Sequence, residues 1–489
     1  MNEMRADTAA TAARSVQDYI DEAPLWPDGT PVSAAPMTGM QWRIWWLAAA
    51  GKFFEGLVVF MTGVAMPLMS REFGMNAFEH GLVGAASLAG ILVGALFLGG
   101  LADQFGRKMM FIVEMVLFII FLALLSASPS FYWTVAFLFG MGVALGCDYP
   151  TAHLVISESI PTRARGRLVL GAFGFQAVGA LTGTLVGYLV LSNLSDVTGW
   201  RLMYAVAILP ALAVVVGRFF VTESPSWLMV HGRHADAERE AHKLLRRKPQ
   251  YPKHIKLAVR HKPHAKEERH PTALFSARNR RATILASVPW FLQDLGTYGI
   301  GIFTPTILAA AMGVAATHAQ DLTDIIANDE LAAEGAAAID LLLIVGIGAA
   351  VLLADRVGRI PLQIIGFVGC AAGLLIAAFS TYYTDGPRLL LVFGGFMLFN
   401  FMTNLGPNAQ TYLLAGEVFP THIRGMGAGF AAAFAKLGAV TTAFLFPILL
   451  AEIGTATLLY ILAGTSVLGA VLTYAFRIET TGRSLDDIG

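Results

Sequence analysis

Cysteine is nearly absent from this chain, charge is scarce, and the charge present has no net sign. The two cysteines of the 489-residue sequence, Cys147 and Cys370, both lie in apolar stretches. That leaves no disulfide framework and no zinc-ligand spacing. Charged residues make up 14 % and hydrophobic residues 56 % of the chain, where soluble domains run at about 25 % and 45–50 %. A chain of that composition cannot cover its apolar surface in water. Lysine plus arginine (34) balances aspartate plus glutamate (34), so no global field points to nucleic acid and any bias is local. The phosphate-loop, zinc-protease, nucleophile-elbow and dinucleotide fingerprints are missing too, which argues against an enzyme.

What the chain has instead is a series of apolar stretches long enough to span a bilayer, broken by short polar intervals. They fall near 43–70, 80–102, 109–128, 131–157, 167–192, 199–221, 281–312, 336–354, 360–382, 387–415, 425–452 and 454–477. The expected fold is therefore an all-α membrane protein of twelve transmembrane helices in two six-helix halves. Its parts are a disordered tail over 1–42, an N-terminal half over 43–221, a basic linker over 222–280, a C-terminal half over 281–477 and a second tail over 478–489. The first tail carries mostly acids and lacks the basic start and apolar core of a secretory signal. It ends at Trp42, Trp45 and Trp46, aromatics suited to a membrane interface.

Basic residues set the expected orientation. Arg107 and Lys108, Arg163, Arg165 and Arg167, Arg356 and Arg359, and Arg424 follow the second, fourth, eighth and tenth spans, while Asp321, Asp324, Asp329, Glu330 and Glu334 separate the seventh from the eighth. Even-numbered breaks and both termini are thus expected in the cytoplasm, with the chain in an inner or plasma membrane. The stretch Arg218–Arg281 holds 16 of the 34 basic residues and 7 of the 11 histidines. Its segment Ala235–Lys248 fits either an amphipathic helix on the inner lipid surface or a soluble basic linker.

The halves repeat each other. Asp103-Gln-Phe-Gly106-Arg107 recurs as Asp355-Arg-Val-Gly358-Arg359, and Glu158-x-x-Pro161-Thr162-x-x-Arg165-Gly166 as Glu417-x-x-Pro420-Thr421-x-x-Arg424-Gly425. Duplicated membrane halves commonly carry substrate between them near the midplane by rocking. Asp103, Arg107, Glu158, Arg165, Asp355, Arg359, Glu417 and Arg424 then read as a gate, pairing with each other and with the facing half. Positive-inside anchoring accounts for the arginines but not for the acids and glycines beside them. With Glu223-Ser-Pro-Ser-Trp-Leu after the sixth span and Glu479-Thr-Thr-Gly-Arg-Ser-Leu near the end, the chain from about Trp46 to Ile488 resembles the major facilitator superfamily, in its sugar-porter-like branch.

An ionisable group at mid-bilayer costs at least about 2.5–3.5 kcal/mol, so each one is a candidate for function. These are Lys52, Glu55, Glu114, Asp148, His153, Asp294 and Lys436. Lys52 and Glu55, three apart, can pair on one helix face. Glu114 lies near enough to Arg107 and Lys108 to be a gate-side partner, and His153 reads as a packing residue. Trp290, Asp294 and Tyr298 share one helical face, as do Asn400, Asn404, Asn408 and Tyr412. With Asp148, Tyr149 and Gln176 they describe a wet cavity; the alternative is interhelical hydrogen bonding, worth only about 0.6 kcal/mol per contact. Gly179, Gly183 and Gly187 read as a close-packing row.

Gly146-Cys-Asp148-Tyr149-Pro150, Gln176, the Trp290, Asp294, Tyr298 triplet, Gly406-Pro-Asn408 and Lys436-Leu-Gly are similar to motifs of the phosphate:proton symporter family. That resemblance implies that Tyr149, Gln176, Trp290, Tyr298 and Asn408, with Lys436, contact substrate, that Asp294 joins substrate and proton, and that Asp148 and Glu55 lie on the proton path. The chain departs from the family pattern at Val58, Cys147 and His153.

An ionised Asp294 beside an anion repels it by about 4 kcal/mol at 4 Å and an effective dielectric near 20. Protonation removes that repulsion, and by reciprocity the anion favours the proton. The expected function is proton-coupled symport of a small anion, inorganic phosphate by resemblance. The only coupling partner is then the proton, with no organic cofactor and no metal; the bilayer and a small molecule are the partners, no nucleic acid is involved, and the carrier works as a monomer. A sugar, polyol or organic-acid carrier is the alternative within transport, and a transporter-like nutrient sensor the alternative outside it.

Overall fold

Local sequence sets where each helix begins and ends. Thr38 opens the first span: its hydroxyl accepts from the Gln41 N–H at 3.1 Å while Gln41 Oε1 accepts from the Thr38 N–H at 2.8 Å, a reciprocal capping box. Asn76 and Glu79 do the same for the second. In both repeated Asp-x-x-Gly-Arg loops the glycine sits at positive φ, 104° at Gly106 and 103° at Gly358. L side chains rarely adopt that conformation, which is why the motif requires glycine there.

The computed structural model describes residues 14–23, 37–98, 101–194, 196–247, 251–252, 255–257, 271–311, 322–420 and 423–481. Asp321, Thr421, the Gly482-Arg-Ser-Leu end of the last motif, and the side chains of Asp103, Tyr149, His153 and Asp324 lie outside the described residues. The first six spans are Gly39–Phe73; Ala77–Val93, continued by a π turn Gly94–Leu98; Arg107–Ser126; Phe131–Ser159; Thr162–Asn193; and Gly199–Phe219. The second six begin with Arg280–Ala311, Leu322–Val357 and Arg359–Phe379. The tenth is Asp385–Leu405 plus Pro407–Glu417, broken at Gly406 because Pro407 has no N–H to continue the ladder. The eleventh and twelfth lie within Arg424–Phe476, parted at Gly454, whose φ is 74°.

This is the expected twelve-helix, all-α architecture, with two differences in extent. The eighth span starts fourteen residues earlier than its apolar stretch, because the acidic, alanine-containing run from Leu322 to Glu334 meets no proline or glycine and stays helical. The reading of residues 1–42 as a disordered tail is corrected for the described part. Val16–Asp21 forms a short helix capped by Ser15, and Val16, Tyr19 and Ile20 are buried. These residues share an apolar cluster with Trp45, Ile160, Leu244 and Leu257.

The linker helix His234–Leu245 buries its apolar face, Ala237, Ala241, Leu244 and Leu245, and Ala237, Leu244 and Leu245 join the same cluster. That face is covered by protein, which corrects the lipid-surface reading of Ala235–Lys248. Thr38 Oγ1 donates to the Leu244 carbonyl at 2.6 Å, fastening the linker to the start of the first span.

Within the N-terminal half the first span packs against the fifth at backbone distance. Gly56 lies against the Gln176 carbonyl, Gly179 against Phe53 and Gly183 against Leu57, with Gly187 on Val64. In the C-terminal half the seventh packs against the eleventh, where Gly438 meets the Phe291 carbonyl. The halves meet mainly through the second span against the eleventh and the fifth against the eighth. Away from the chain termini, Gly63 abuts Ile302, Gly81 abuts Phe444 and Thr184 bonds to Asp340. At the end bearing the termini, Arg167 pairs with Asp355 at 3.5 Å, both largely exposed. The structure is thus sealed by close packing at one end and bridged by a solvent-facing ion pair at the other.

Candidate functional site

Glu55 is the centre of a buried polar network built from both halves. Lys52, one turn earlier, places Nζ 2.7 Å from Glu55 Oε2. The absence of a side chain at Gly56 lets the fifth span close in, so Gln176 Nε2 reaches to 3.4 Å of Glu55 Oε1 and donates to the Tyr298 hydroxyl at 2.9 Å. Tyr298, on the seventh span, donates to Glu55 Oε1 at 3.0 Å. Lys436, on the eleventh, donates to the Tyr298 hydroxyl at 2.6 Å and to Glu55 Oε1 at 3.2 Å. Its Nζ lies 3.7 Å from Asp294 Oδ2, a buried atom with no hydrogen-bond partner among the described groups.

Six of the residues singled out in the sequence therefore converge: Lys52, Glu55, Gln176, Asp294, Tyr298 and Lys436. They place two ammonium groups and two carboxylates within one buried region.

An aromatic layer lies on the terminus-bearing side of this network. Phe173 stacks on Tyr412 of the other half, centroids 4.5 Å apart, and Trp290 meets Tyr412 edge-on at 6.1 Å. Lys52 Nζ sits 5.7 Å above the Phe173 ring. Trp290 is thus a wall beside Asp294.

Other residues go elsewhere. Asp148 does not line the same network: its Oδ1 is 2.8 Å from Arg218 Nη2, and its carboxylate occupies the space Gly51 leaves open. Glu114, expected beside Arg107 and Lys108, instead pairs with the same arginine at 2.9 Å. Arg218 also donates to the carbonyls of Phe111 and Leu47 and lies over the Phe111 ring. Sequence reading assigned Arg218 to the start of the linker; two third- and fourth-span acids without a cation of their own were the signal for it. The asparagine ridge divides as well. Asn400 donates to Asp340 and Asn404 to the Leu343 carbonyl, both toward the eighth span, and Asn408 donates to Asn404 Oδ1 at 2.6 Å.

The repeated motifs form two matching clusters. Arg107 Nη2 is 3.3 Å from Glu158, which also accepts from Ser224, while Glu223 accepts from the Lys108 N–H at 3.1 Å. Arg359 Nε is 3.4 Å from Glu417, which also accepts from Thr480, while Glu479 accepts from the Arg359 N–H at 3.1 Å. Arg359 additionally holds Asp355 at 2.8 Å. Burial pushes Glu223 above the ordinary glutamate value; at Glu479 the Thr481 donors and the N–H groups of Ile360 and Arg359 outweigh burial and hold it below.

These pairs lie within each half. Among the described residues a pair between the halves at this end joins Arg167 and Asp355, while Arg165 donates to Gln17 and Arg424 to the Phe419 carbonyl.

Two like halves around a buried polar centre define a membrane transporter. The chain belongs to the sugar (and other) transporter family, which matches residues 44–489. The xylose transporter XylE of Escherichia coli, in a partially occluded inward-open conformation, shares the fold with TM-score 0.73 at 22 % identity over 91 % of this chain and 100 % of that one. This is the major facilitator fold. The inner membrane metabolite transport protein YgcS of Escherichia coli (strain K12) is 30 % identical over 91 % of this chain and 93 % of its own length. A Schizosaccharomyces pombe (strain 972 / ATCC 24843) protein, C1683.01, provisionally named an inorganic phosphate transporter, is 27 % identical over 92 % of this chain and 88 % of its own. Family and fold are those of membrane transporters, not of enzymes.

Proposed function

We propose that the protein is a proton-coupled symporter of a small anion, inorganic phosphate foremost, working by alternating access. The observation that carries this reading is the charge count around Asp294. Lys52 and Lys436 balance Glu55 and Asp294 when all four are ionised. Glu55 is held by both lysines, whereas Asp294 Oδ2 has no hydrogen-bond partner among the described groups and only the more distant Lys436. A proton on Asp294 leaves a single positive excess, which a monovalent anion neutralises. Anion and proton then favour each other at one site, and neither enters easily alone.

Gln176, Tyr298 and Lys436 supply donors to such an anion, with Trp290 as a wall and Tyr149 and Asn408 as further contacts carried over from the phosphate-symporter resemblance. Glu55 and Asp148 take the proton-path roles on the same ground. The phosphate wording in the name of the fission yeast relative supports the anion class. A sugar or polyol carrier is the second reading: the amides and hydroxyl of Gln176, Asn408 and Tyr298 suit a neutral polyol, and XylE is named a xylose transporter. The basic loops after the even-numbered spans support a cytoplasmic location for both termini, in an inner or plasma membrane.

Proteoliposome uptake tests these alternatives. Phosphate accumulation driven by an inward proton gradient, abolished by a protonophore and unchanged when choline replaces sodium, is the expected result. Accumulation of xylose or glucose without phosphate would replace the anion reading. Saturable binding without uptake of any of them would indicate a sensor.

A further inference from the structure

Asp340 is a second buried carboxylate of the C-terminal half, separate from the central network and used by none of the motifs. It is 3 % exposed. Its Oδ2 lies 2.8 Å from Thr184 Oγ1, on the fifth span of the other half, and its Oδ1 3.3 Å from Asn400 Nδ2. Thr184 Oγ1 is in turn 3.1 Å from the Ala180 carbonyl. A hydroxyl has one proton to donate. With Asp340 ionised, Thr184 spends that proton on Asp340 and loses the Ala180 bond. With Asp340 protonated, its own O–H donates to Thr184, Thr184 donates to Ala180, and Asn400 still donates to Oδ1. Only the protonated form completes the chain.

Among the described residues no cation pairs with an ionised Asp340. The groups facing Asp340 are Thr184 and Ala180 from the fifth span and Asn400 from the tenth. The first span carries Lys52 and Glu55 in the central network, Arg43 near its start, and Arg71 with Glu72, paired to Arg201, at its far end; the seventh carries Arg280 and Arg281 at its start and Asp294 in the network. On its own helix the nearest acid, Glu334, lies about two turns away. Among the described residues none of these forms an ion pair with Asp340. An ionised carboxylate in such surroundings is costly.

The position gives the group a task. Ile347 packs against Gly174, two residues before Gln176, and Asp340 lies about 10 Å further along the helix toward the end away from the termini. Opening that end parts the fifth span from the eighth and breaks the bond to Thr184. We propose that Asp340 is a proton-binding latch: a proton taken from solvent at that end locks the two halves together there, and returns to the same solvent when they part. The latch rests on alternating access but not on the proton coupling at Asp294, since its proton does not cross the membrane.

Spin labels at the exposed Tyr132 and Tyr383, one in each half at that end, report its opening by pulsed dipolar spectroscopy in nanodiscs. The native cysteines are buried. An Asp294→Asn background removes the coupling carboxylate. The closed distance should dominate at pH 5.5 and decline at pH 8.5. Asp340→Asn should keep the closed distance at both pH values. Thr184→Ala, which leaves Asp340 in place, should cut the ratio of closed to open by about fivefold at pH 5.5, the worth of one buried hydrogen bond. A pH response that persists in Asp340→Asn, or a Thr184→Ala protein that closes as the parent does, overturns the latch. With Asp294 restored, proton-driven uptake together with spin-label distances that ignore these variants sinks the latch alone. With Asp294 restored, a latch response without uptake of phosphate or sugar sinks the symport reading alone.

Discussion

Replacing Asp294 by asparagine separates the coupling role from a structural one. If Asp294 merely neutralised Lys436, its loss would strand a buried cation and lower folded yield. The geometry argues otherwise: Lys436 keeps Glu55 at 3.2 Å and the Tyr298 hydroxyl at 2.6 Å, against 3.7 Å to Asp294. Asp294→Asn should therefore purify with parental yield. An anion about 4 Å from an ionised Asp294 is repelled by about 4 kcal/mol at an effective dielectric of 20, close to three decades in affinity. Lys436 beside both partners absorbs part of this, so the parent protein should lose about tenfold to hundredfold in phosphate affinity as Asp294 ionises with rising pH. Asparagine keeps a donor and removes the charge. Binding by Asp294→Asn, followed calorimetrically at two pH values, should be flat; exchange should survive, and proton-driven accumulation should fail. A well-folded Asp294→Asn protein that still concentrates phosphate would refute the reasoning and return the coupling to Glu55 or Asp148.

Arg218→Met should abolish folded yield on size exclusion, because it leaves Glu114 and Asp148 buried together without their cation, a loss of about 3–5 kcal/mol. Gly183→Leu should do the same by driving a side chain into the Leu57 carbonyl and spreading the first span from the fifth. Arg107→Ala and Arg359→Ala should slow transport while phosphate affinity stays within a few-fold, since both lie beyond the site. Glu479 lies below its ordinary value of 4.5, so its clamp on the ninth span stabilises the folded protein above that pH and fades as pH falls through the depressed value. Glu479→Gln should thus lower the melting temperature at pH 7 and less so at pH 4.

The fold was legible because its signals are local and repeated. Twelve apolar stretches, the glycine of each Asp-x-x-Gly-Arg loop and the row from Gly179 to Gly187 each encode a backbone requirement that no partner can alter. The central network was legible for a related reason: Trp290, Asp294 and Tyr298 at fourfold spacing share a face whatever packs against it. Partners were not legible. Asp148 looked like a cavity carboxylate until Arg218 arrived from the sixth span, and Asn400 and Asn404 looked like cavity donors until the eighth span supplied Asp340 and the Leu343 carbonyl. Helical periodicity fixes an angle about one axis, while a hydrogen bond also needs the neighbour's rotation and height. Asp340 itself lies inside the eighth apolar stretch but near its start, beside the acidic run through Glu334, so it counted with the span edge and not with the mid-bilayer charges.

Once the partners are known, the charges can be counted by group, which no single helix allows. Among the described residues the Arg218 cluster sets one cation against two acids, the central network two against two, and Asp340 has no ion-pair partner. Each uncompensated charge at this depth is expensive. The central network is therefore the one group that is neutral with every member ionised, and the one that a single added proton makes positive. The proposed symport needs such a point: the protonated site would be unfavourable empty and favourable when filled by an anion, so the step that moves the halves would be taken with both or with neither. The same count disfavours a neutral sugar as the coupled substrate. Bound beside a protonated Asp294 it would leave the positive excess in place, and the lysines would have no counter-charge to exchange for the proton.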